Sequence, residues 1–321
     1  MPLQIIRQDV TKVKCDVIVC PTDRYLSGAG GADRAIHAAA GPAMDEHCRG
    51  IGSLSVGEAV ITPAYAMENC KQVIHVVGPL WKGGLDGERV LLRSCYLEAL
   101  QLACDNKCKS VAFPLIASGT YGYPKDKVLK LATATISEFL MKHEMNVYLV
   151  VYDVDSYEIS QSLRSELDKY INRVYRAEEN LEDRAIAFSK AVPMCSCLDS
   201  SALPDFELDK GFSDTLFDYI DAKGITDVEA YKRSNVSRKV FSKIKCNKGY
   251  QPSKITAVSF AIGLRLNLEE TEHLLNTAGM CLSRSSKFDV IIEYFIKTGK
   301  YQDIHEVNET LYKYDQVLLG C

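Results

Sequence analysis

Two hydrophobic periodicities divide the chain. In the first half, short β-branched runs at 3–7, 16–20, 59–61, 72–77, 110–115 and 146–152 read as buried strands. Stretches with apolar residues at helical spacing alternate with them, at 32–40, 88–106, 125–142 and 156–172. That alternation predicts a sheet covered on both faces, which takes up ligands in the crevice beyond the carboxyl ends of its strands. From about 174 to 211 the pattern degrades. Arg176–Asn180 is charged, and Met194–Pro204 is rich in Ser, Cys and Pro, as a linker with one short helix near 181–190 would be. Beyond it, apolar stripes at 214–222, 227–234, 237–246, 253–265, 269–278, 286–297 and 304–314 predict seven helices, several with a capping residue in front, as at Ser213, Thr226 and Ser285. The expected organisation is an α/β domain over 1–173, a linker over 174–211 and an all-helical domain over 212–321.

Composition fits two globular domains: 321 residues, 47% hydrophobic and 25% charged. The net charge of −4 argues against a chain whose whole surface binds nucleic acid or acidic membrane. Of twelve cysteines, Cys15, Cys20, Cys95 and Cys104 lie in apolar runs, where a thiol packs as a small hydrophobe. The opening MPLQIIRQDV reads as a strand and not as a secretory leader, so a reduced, cytoplasmic protein is expected. The closest cysteine pairs, Cys104 with Cys108 and Cys195 with Cys197, lack a second Cys or His pair at zinc-site spacing, so no metal is expected. Nothing calls for a cofactor. No apolar run approaches the roughly 20 residues that span a bilayer, and no membrane partner is expected.

Two loops of the first half carry candidate chemistry. After the 16–20 strand the chain reads CPTDRYLSGAGGADRAIHAAAGP from Cys20 to Pro42. Its Ser27–Gly31 stretch lacks bulky side chains and opens onto a helix, whose terminal N–H groups suit a phosphate. After the 110–115 strand comes IASGTYGYP, from Ile116 to Pro124, a second small glycine-containing turn. Two such loops at one sheet edge suit a diphosphate. Neither follows the P-loop or the Gly-x-Gly-x-x-Gly dinucleotide pattern.

The order GGADRAIHAAAGP, GEAVITPAY, VIHVVGP, FPLIASGTYGYP, spread over residues 1–160, resembles the macrodomain family, and its hydrolase branch most. The resemblance implies a three-layer α/β/α fold with a mixed sheet that binds ADP-ribose, free or attached to protein or nucleic acid. It implies that Asp9 bonds the adenine amino group with the Val10 backbone beside it, and that Tyr152 packs on adenine. The backbone of Gly30, Gly31 and Ala32 would hold one phosphate, and Ser118, Gly119, Thr120, Tyr121 and Gly122 the other. Asp33 would lie by the distal ribose, with His37 a turn further along the helix as a structural residue. Hydrolases of this family usually carry Asn-Ala-Ala-Asn where this chain has Cys20-Pro-Thr-Asp23. The resemblance thus places Cys20, a poor substitute for an amide, at a ligand-contact position, while Asp23 could pair with Asp33 so that one carboxylate serves as a base. The expected activity is hydrolysis of mono-ADP-ribosyl linkages. The alternatives are a non-catalytic ADP-ribose reader and an ADP-ribose-sensing DNA-binding regulator.

In the second half, two short helices around Ser234–Val236 resemble the helix-turn-helix of Cro and phage repressors, at about 226–246 within an all-α bundle. From Lys232 to Lys254 there are eight Lys or Arg residues and no acid. Arg238, Lys239, Lys243 and Lys245 on the second helix are the candidate contacts to DNA, and a plain solvated basic face is the competing explanation.

Overall fold

The computed structural model describes residues 3–151, 165–174, 210–247 and 249–320. The chain separates into two compact units, one of residues 1–158 with 320–321 and one within 159–319.

The first unit holds a six-stranded sheet of β1 (Leu3–Ile6), β2 (Val17–Thr22), β3 (Ala59–Pro63), β4 (Gln72–Val77), β5 (Ser110–Pro114) and β6 (Asn146–Val150). Its order is β1-β6-β5-β2-β4-β3. All pairings are parallel except β3 with β4, which makes the sheet mixed. Val17, Ile18 and Val19 of the central β2 are fully buried, as a strand covered on both faces requires. The helices are α1 (Gly31–Ala40), α2 (Pro42–Ile51), α3 (Glu88–Asp105) and α4 (Lys125–Leu140). From β2 the chain moves on to β3 and β4 on one side, and from β5 to β6 on the other. The crevice between the carboxyl ends of β2 and β5 is therefore the topological switch point, where open α/β sheets bind ligands.

Helix α2 is absent from the periodicity reading. Gly41, at φ 82°, turns the chain sharply after α1, and Pro42 starts the new helix at the position where its missing N–H costs nothing. Met44 and Cys48, one turn apart, are its buried residues.

The second unit is helical: α5 (165–174), α6 (Phe212–Ala222), α7 (Asp227–Arg233), α8 (Arg238–Cys246), α9 (Lys254–Gly263), α10 (Leu268–Asn276), α11 (Lys287–Thr298) and α12 (Ile304–Lys313). The segment expected as the last helix of the α/β domain divides differently. Its described part, α5, sends Leu167 and Ile171 into one core with Leu216, Phe260, Phe295 and Leu311. The Tyr294 hydroxyl donates to Glu166 (2.9 Å) and that of Tyr314 to Asp168 (2.6 Å), fixing α5 to the helical unit. Thr226 caps α7 in a reciprocal box with Glu229. Ser286, and not Ser285, caps α11. Ser213 lies inside α6, where its hydroxyl donates to the Asn247 carbonyl (3.2 Å). Among the described residues no helix is long and apolar enough to cross a membrane, and the nine described cysteines are free thiols.

Candidate functional site

The two glycine loops meet at the switch point. The first leaves β2 at Thr22 and enters α1 through Gly30, an extended N-cap without a side-chain cap, so the first N–H groups of α1 have no partner within the helix. The second follows β5 and is tied into a compact turn. Ala117, at φ 64°, accepts from the Tyr123 N–H, Gly122 bonds back to the Gly119 carbonyl, and the Ser118 hydroxyl donates to the Leu115 carbonyl. Among the described residues, the N–H groups of Gly119, Thr120 and Tyr121 have no acceptor. A Cβ on Gly30 would sit 3.7 Å from the Thr120 hydroxyl, so the loops face each other across a narrow gap. Between them lies a cleft of about 340 Å³, within the range of small-molecule sites. Lys125, the first residue of α4, is the cation among its lining residues.

Asp33, in the first turn of α1, also lines the cleft, yet it is only 2% exposed. The Cys20 thiol donates to one of its carboxylate oxygens (3.1 Å) and the Thr22 hydroxyl to the other (3.2 Å). Burial raises the Asp33 pKa above the ordinary range; the Cys20 thiol, His37 and the Thr22 hydroxyl act downward, and the Asp23 charge adds to the rise. Asp23 behaves differently. It accepts from the N–H groups of Tyr25 (2.9 Å) and Ser27 (3.1 Å), and from the Ser27 hydroxyl. Burial acts upward on it as well, but these donors hold its pKa below the ordinary value. The two carboxylates thus differ in duty: Asp23 staples the loop, and Asp33 stands as a rigid acceptor at the cleft wall.

Below Asp33 lies a buried histidine pair. His37 Nδ1 donates to Asp45 (2.6 Å), and its Nε2 stands 3.4 Å from Asp33. His75, fully buried on β4, bonds Thr62 through Nε2 (3.0 Å). Burial, with smaller effects from His37 and His47, pulls the His75 pKa down to about 3, so its imidazole is neutral.

Of the residues singled out by sequence, the fold gathers Asp23, Gly30, Gly31, Ala32, Asp33, Ser118, Gly119, Thr120 and Tyr121 around this one cleft. Gly122 shapes the second loop without lining the cleft. Cys20 is a correction: it is fully buried behind Asp33 and cannot touch a ligand directly. Asp9 and Val10 also do not line the cleft. The Asp9 carboxylate caps a short 3-10 turn at Val10–Lys12, accepting from the Thr11 N–H (2.9 Å) and hydroxyl (2.8 Å), and Val10 is core. Tyr152 lies outside the described residues. Sequence reasoning missed Thr22, Gly78, Lys125 and Val150, all in the lining. Lys125 was findable as a cation directly after a phosphate-type turn. Gly78 shows its purpose only in three dimensions, where a Cβ would press within 3.1 Å of both Ala117 and Ile116.

A family model described as Macro domain matches residues 19–132. A macro domain-containing protein of Methanosarcina mazei is 43% identical over 171 residues, which are 53% of this chain and 89% of that protein. The O-acetyl-ADP-ribose deacetylase of Escherichia coli strain K12 is 41% identical over 167 residues, 50% of this chain and 94% of the enzyme. Among solved structures, the Oceanobacillus iheyensis macrodomain with ADP is 35% identical, covering 52% of this chain and 92% of that one with a TM-score of 0.47. Through its first unit, the chain belongs to the macro domain family.

Proposed function

We propose that the first unit binds ADP-ribose in the cleft and hydrolyses a bond at its distal ribose, an acyl ester in the first instance. The observation that carries this reading is the convergence on one cleft of two sets of unpartnered N–H groups, a lysine and a buried, pre-oriented carboxylate. The α1 terminus and the 119–121 turn take the diphosphate, which anchors the nucleotide and leaves its distal ribose to be fixed beside Asp33. An ionised carboxylate offers about four lone-pair positions. Cys20 and Thr22 occupy one on each Asp33 oxygen, so Asp33 can still accept from a water and aim it at the acyl carbon. Water adds to that carbon, the bond to the ribose oxygen breaks, and a proton of the water passes to that departing oxygen, leaving the free carboxylic acid and a ribose hydroxyl. The same geometry extends to mono-ADP-ribosyl groups on macromolecules. Curated relatives named O-acetyl-ADP-ribose deacetylase support the ester. The test is release of acetate from O-acetyl-ADP-ribose by the full chain. Absence of release, with ADP-ribose still bound, would replace the hydrolase with a reader.

Lys125→Ala should weaken ADP-ribose binding by about tenfold, the loss of one charge-assisted contact of about 1.5 kcal/mol. Calorimetric titration of both proteins checks it, and equal affinities would remove Lys125 from the diphosphate.

A second reading concerns the helical unit. Helices α7 and α8 join through Ser234–Val236, with Asn235 in the left-handed conformation (φ 52°) that a tight inter-helix turn requires. Arg238, Lys239 and Lys243 are exposed along α8, which supports reading the pair as a helix-turn-helix that would dock on DNA. Lys245 fits less well, because Asp227 already holds its ammonium at 2.6 Å. Binding to duplex DNA should fall steeply with salt, and each of Arg238→Ala, Lys239→Ala and Lys243→Ala should lower the log–log salt slope by about 1. Affinity indifferent to salt would leave these residues as a solvated face.

A further inference from the structure

The buried cluster behind Asp33 has a donor geometry that the ADP-ribose reading does not use. Cys20 on β2 and His75 on β4 are direct cross-strand partners, so their side chains share one face of the sheet. Helix α1 brings His37 to them, and its ring meets that of His75 edge-on at 5.7 Å between centroids. One donor atom from each residue, a sulfur and two ring nitrogens, lies within 4.8 Å of the other two, and all three residues are buried.

The ring nitrogens are the telling detail. His37 Nε2 and His75 Nδ1 are buried and without a hydrogen-bond partner. Two orphaned ring nitrogens in one small space are costly unless something occupies them. Their opposite nitrogens are both held: His37 Nδ1 by the Asp45 carboxylate (2.6 Å), His75 Nε2 by the Thr62 hydroxyl (3.0 Å). This matches the outer-shell arrangement of metal-ligating histidines: the Asp45 carboxylate fixes the His37 tautomer with its Nε2 lone pair inward, and the Thr62 hydroxyl, able to accept from His75 Nε2, permits the same of His75 Nδ1. Charge points the same way. The Asp33 carboxylate is buried 3.4 Å from His37 Nε2, and a divalent cation would supply the positive charge such a site needs.

We propose that Cys20 Sγ, His37 Nε2 and His75 Nδ1 form a zinc site beneath Asp33. One thiol, two imidazoles and a neighbouring carboxylate are a donor set that suits Zn²⁺. One Asp33 oxygen, Oδ1, borders two of the ligands, 3.1 Å from Cys20 Sγ and 3.4 Å from His37 Nε2; it takes the fourth position in place of the Cys20 hydrogen bond, while Oδ2, bonded by Thr22, keeps an acceptor for a water in the cleft. Tetrahedral bonds of about 2.0–2.3 Å put ligand atoms roughly 3.3–3.8 Å apart, so donors now within 4.8 Å of one another need close in by no more than about 1–1.5 Å. Binding Zn²⁺ converts the Cys20 thiol to thiolate and releases its proton to solvent. None of this rests on what occupies the cleft above.

The test is metal analysis of the purified full chain after exposure to Zn²⁺ and removal of excess, followed by Co²⁺ substitution. Cys246→Ser with Cys281→Ser serves as background, because those two thiols are exposed. The expected result is about one zinc per chain and a thiolate-to-Co²⁺ charge-transfer band, both lost in folded Cys20→Ser and in His75→Asn. Anomalous scattering at the zinc edge from crystals of the unsubstituted chain locates the ion even if both variants fail to fold. A peak between Cys20, His37 and His75 supports the site. Zinc well below stoichiometry, an unchanged cobalt spectrum in folded Cys20→Ser, or no anomalous peak at that position would overturn it.

Discussion

Asp33→Asn should cut ester hydrolysis by at least about 10²-fold while leaving ADP-ribose affinity within a few fold, the signature of a group that positions the attacking water and does not anchor the nucleotide. The substitution is nearly isosteric. The amide oxygen can still accept from the Cys20 thiol, and the amide NH₂ can donate to the Thr22 hydroxyl, which rotates to accept. What disappears is the negative charge and one acceptor directed at the cleft. The proposed diphosphate contacts lie elsewhere, on the α1 terminus, the 119–121 turn and Lys125, all in the cleft lining, so binding should persist. Steady-state kinetics with O-acetyl-ADP-ribose, beside calorimetry with ADP-ribose, separates the two effects. Turnover within twofold of the unsubstituted chain would take Asp33 out of the mechanism.

Gly263→Ala should destabilise the helical unit by about 3 kcal/mol, at the upper end for a single added methyl in a packed interior. Gly263 closes α9 against the α7–α8 turn. A Cβ there would lie 2.3 Å from the Ser234 hydroxyl, 2.6 Å from its Cα and 2.7 Å from its backbone nitrogen. Two of those atoms are backbone in a fully buried turn residue, so no side-chain rotation relieves the contact. Either α9 shifts or the turn opens. The chain has a single tryptophan, Trp81, and it lies in the first unit. Urea unfolding can therefore be followed by tryptophan fluorescence for the α/β unit and by far-UV circular dichroism for the helices. With a slope of about 2 kcal/mol per molar urea, the helical transition should move down by about 1.5 M while the Trp81 transition stays in place. A helical midpoint that does not move would mean that the turn yields freely, against its close packing on α9.

The parts of this structure legible in the sequence are those with a local cause. The six strand runs and the seven C-terminal helices follow from periodicity, and both glycine loops from residues that leave the backbone open to a ligand. What escaped was set by long-range contact. The apolar face of α5 fits a helical core as well as it would a sheet, and only the partners of Leu167 and Ile171 decide between them. Helix α2 is short and polar on most of its surface, with two buried residues to announce it. Cys20 reads as a failed asparagine in the motif, yet the fold places it beneath Asp33 as a hydrogen-bond donor. Cys20, His37 and His75 are 17 and 38 residues apart in sequence and show no metal-type spacing; parallel pairing of β2 with β4 under α1 creates their proximity. A search of the chain for local Cys/His pairs passes over such a cluster by construction.

The central claim is that the cleft between the two glycine loops is an ADP-ribose site, and calorimetric titration of the intact chain with ADP-ribose tests it most directly. The account predicts saturable binding at one site per chain, displaced by ADP through the shared diphosphate. No detectable binding, or binding that ADP fails to displace, would contradict it.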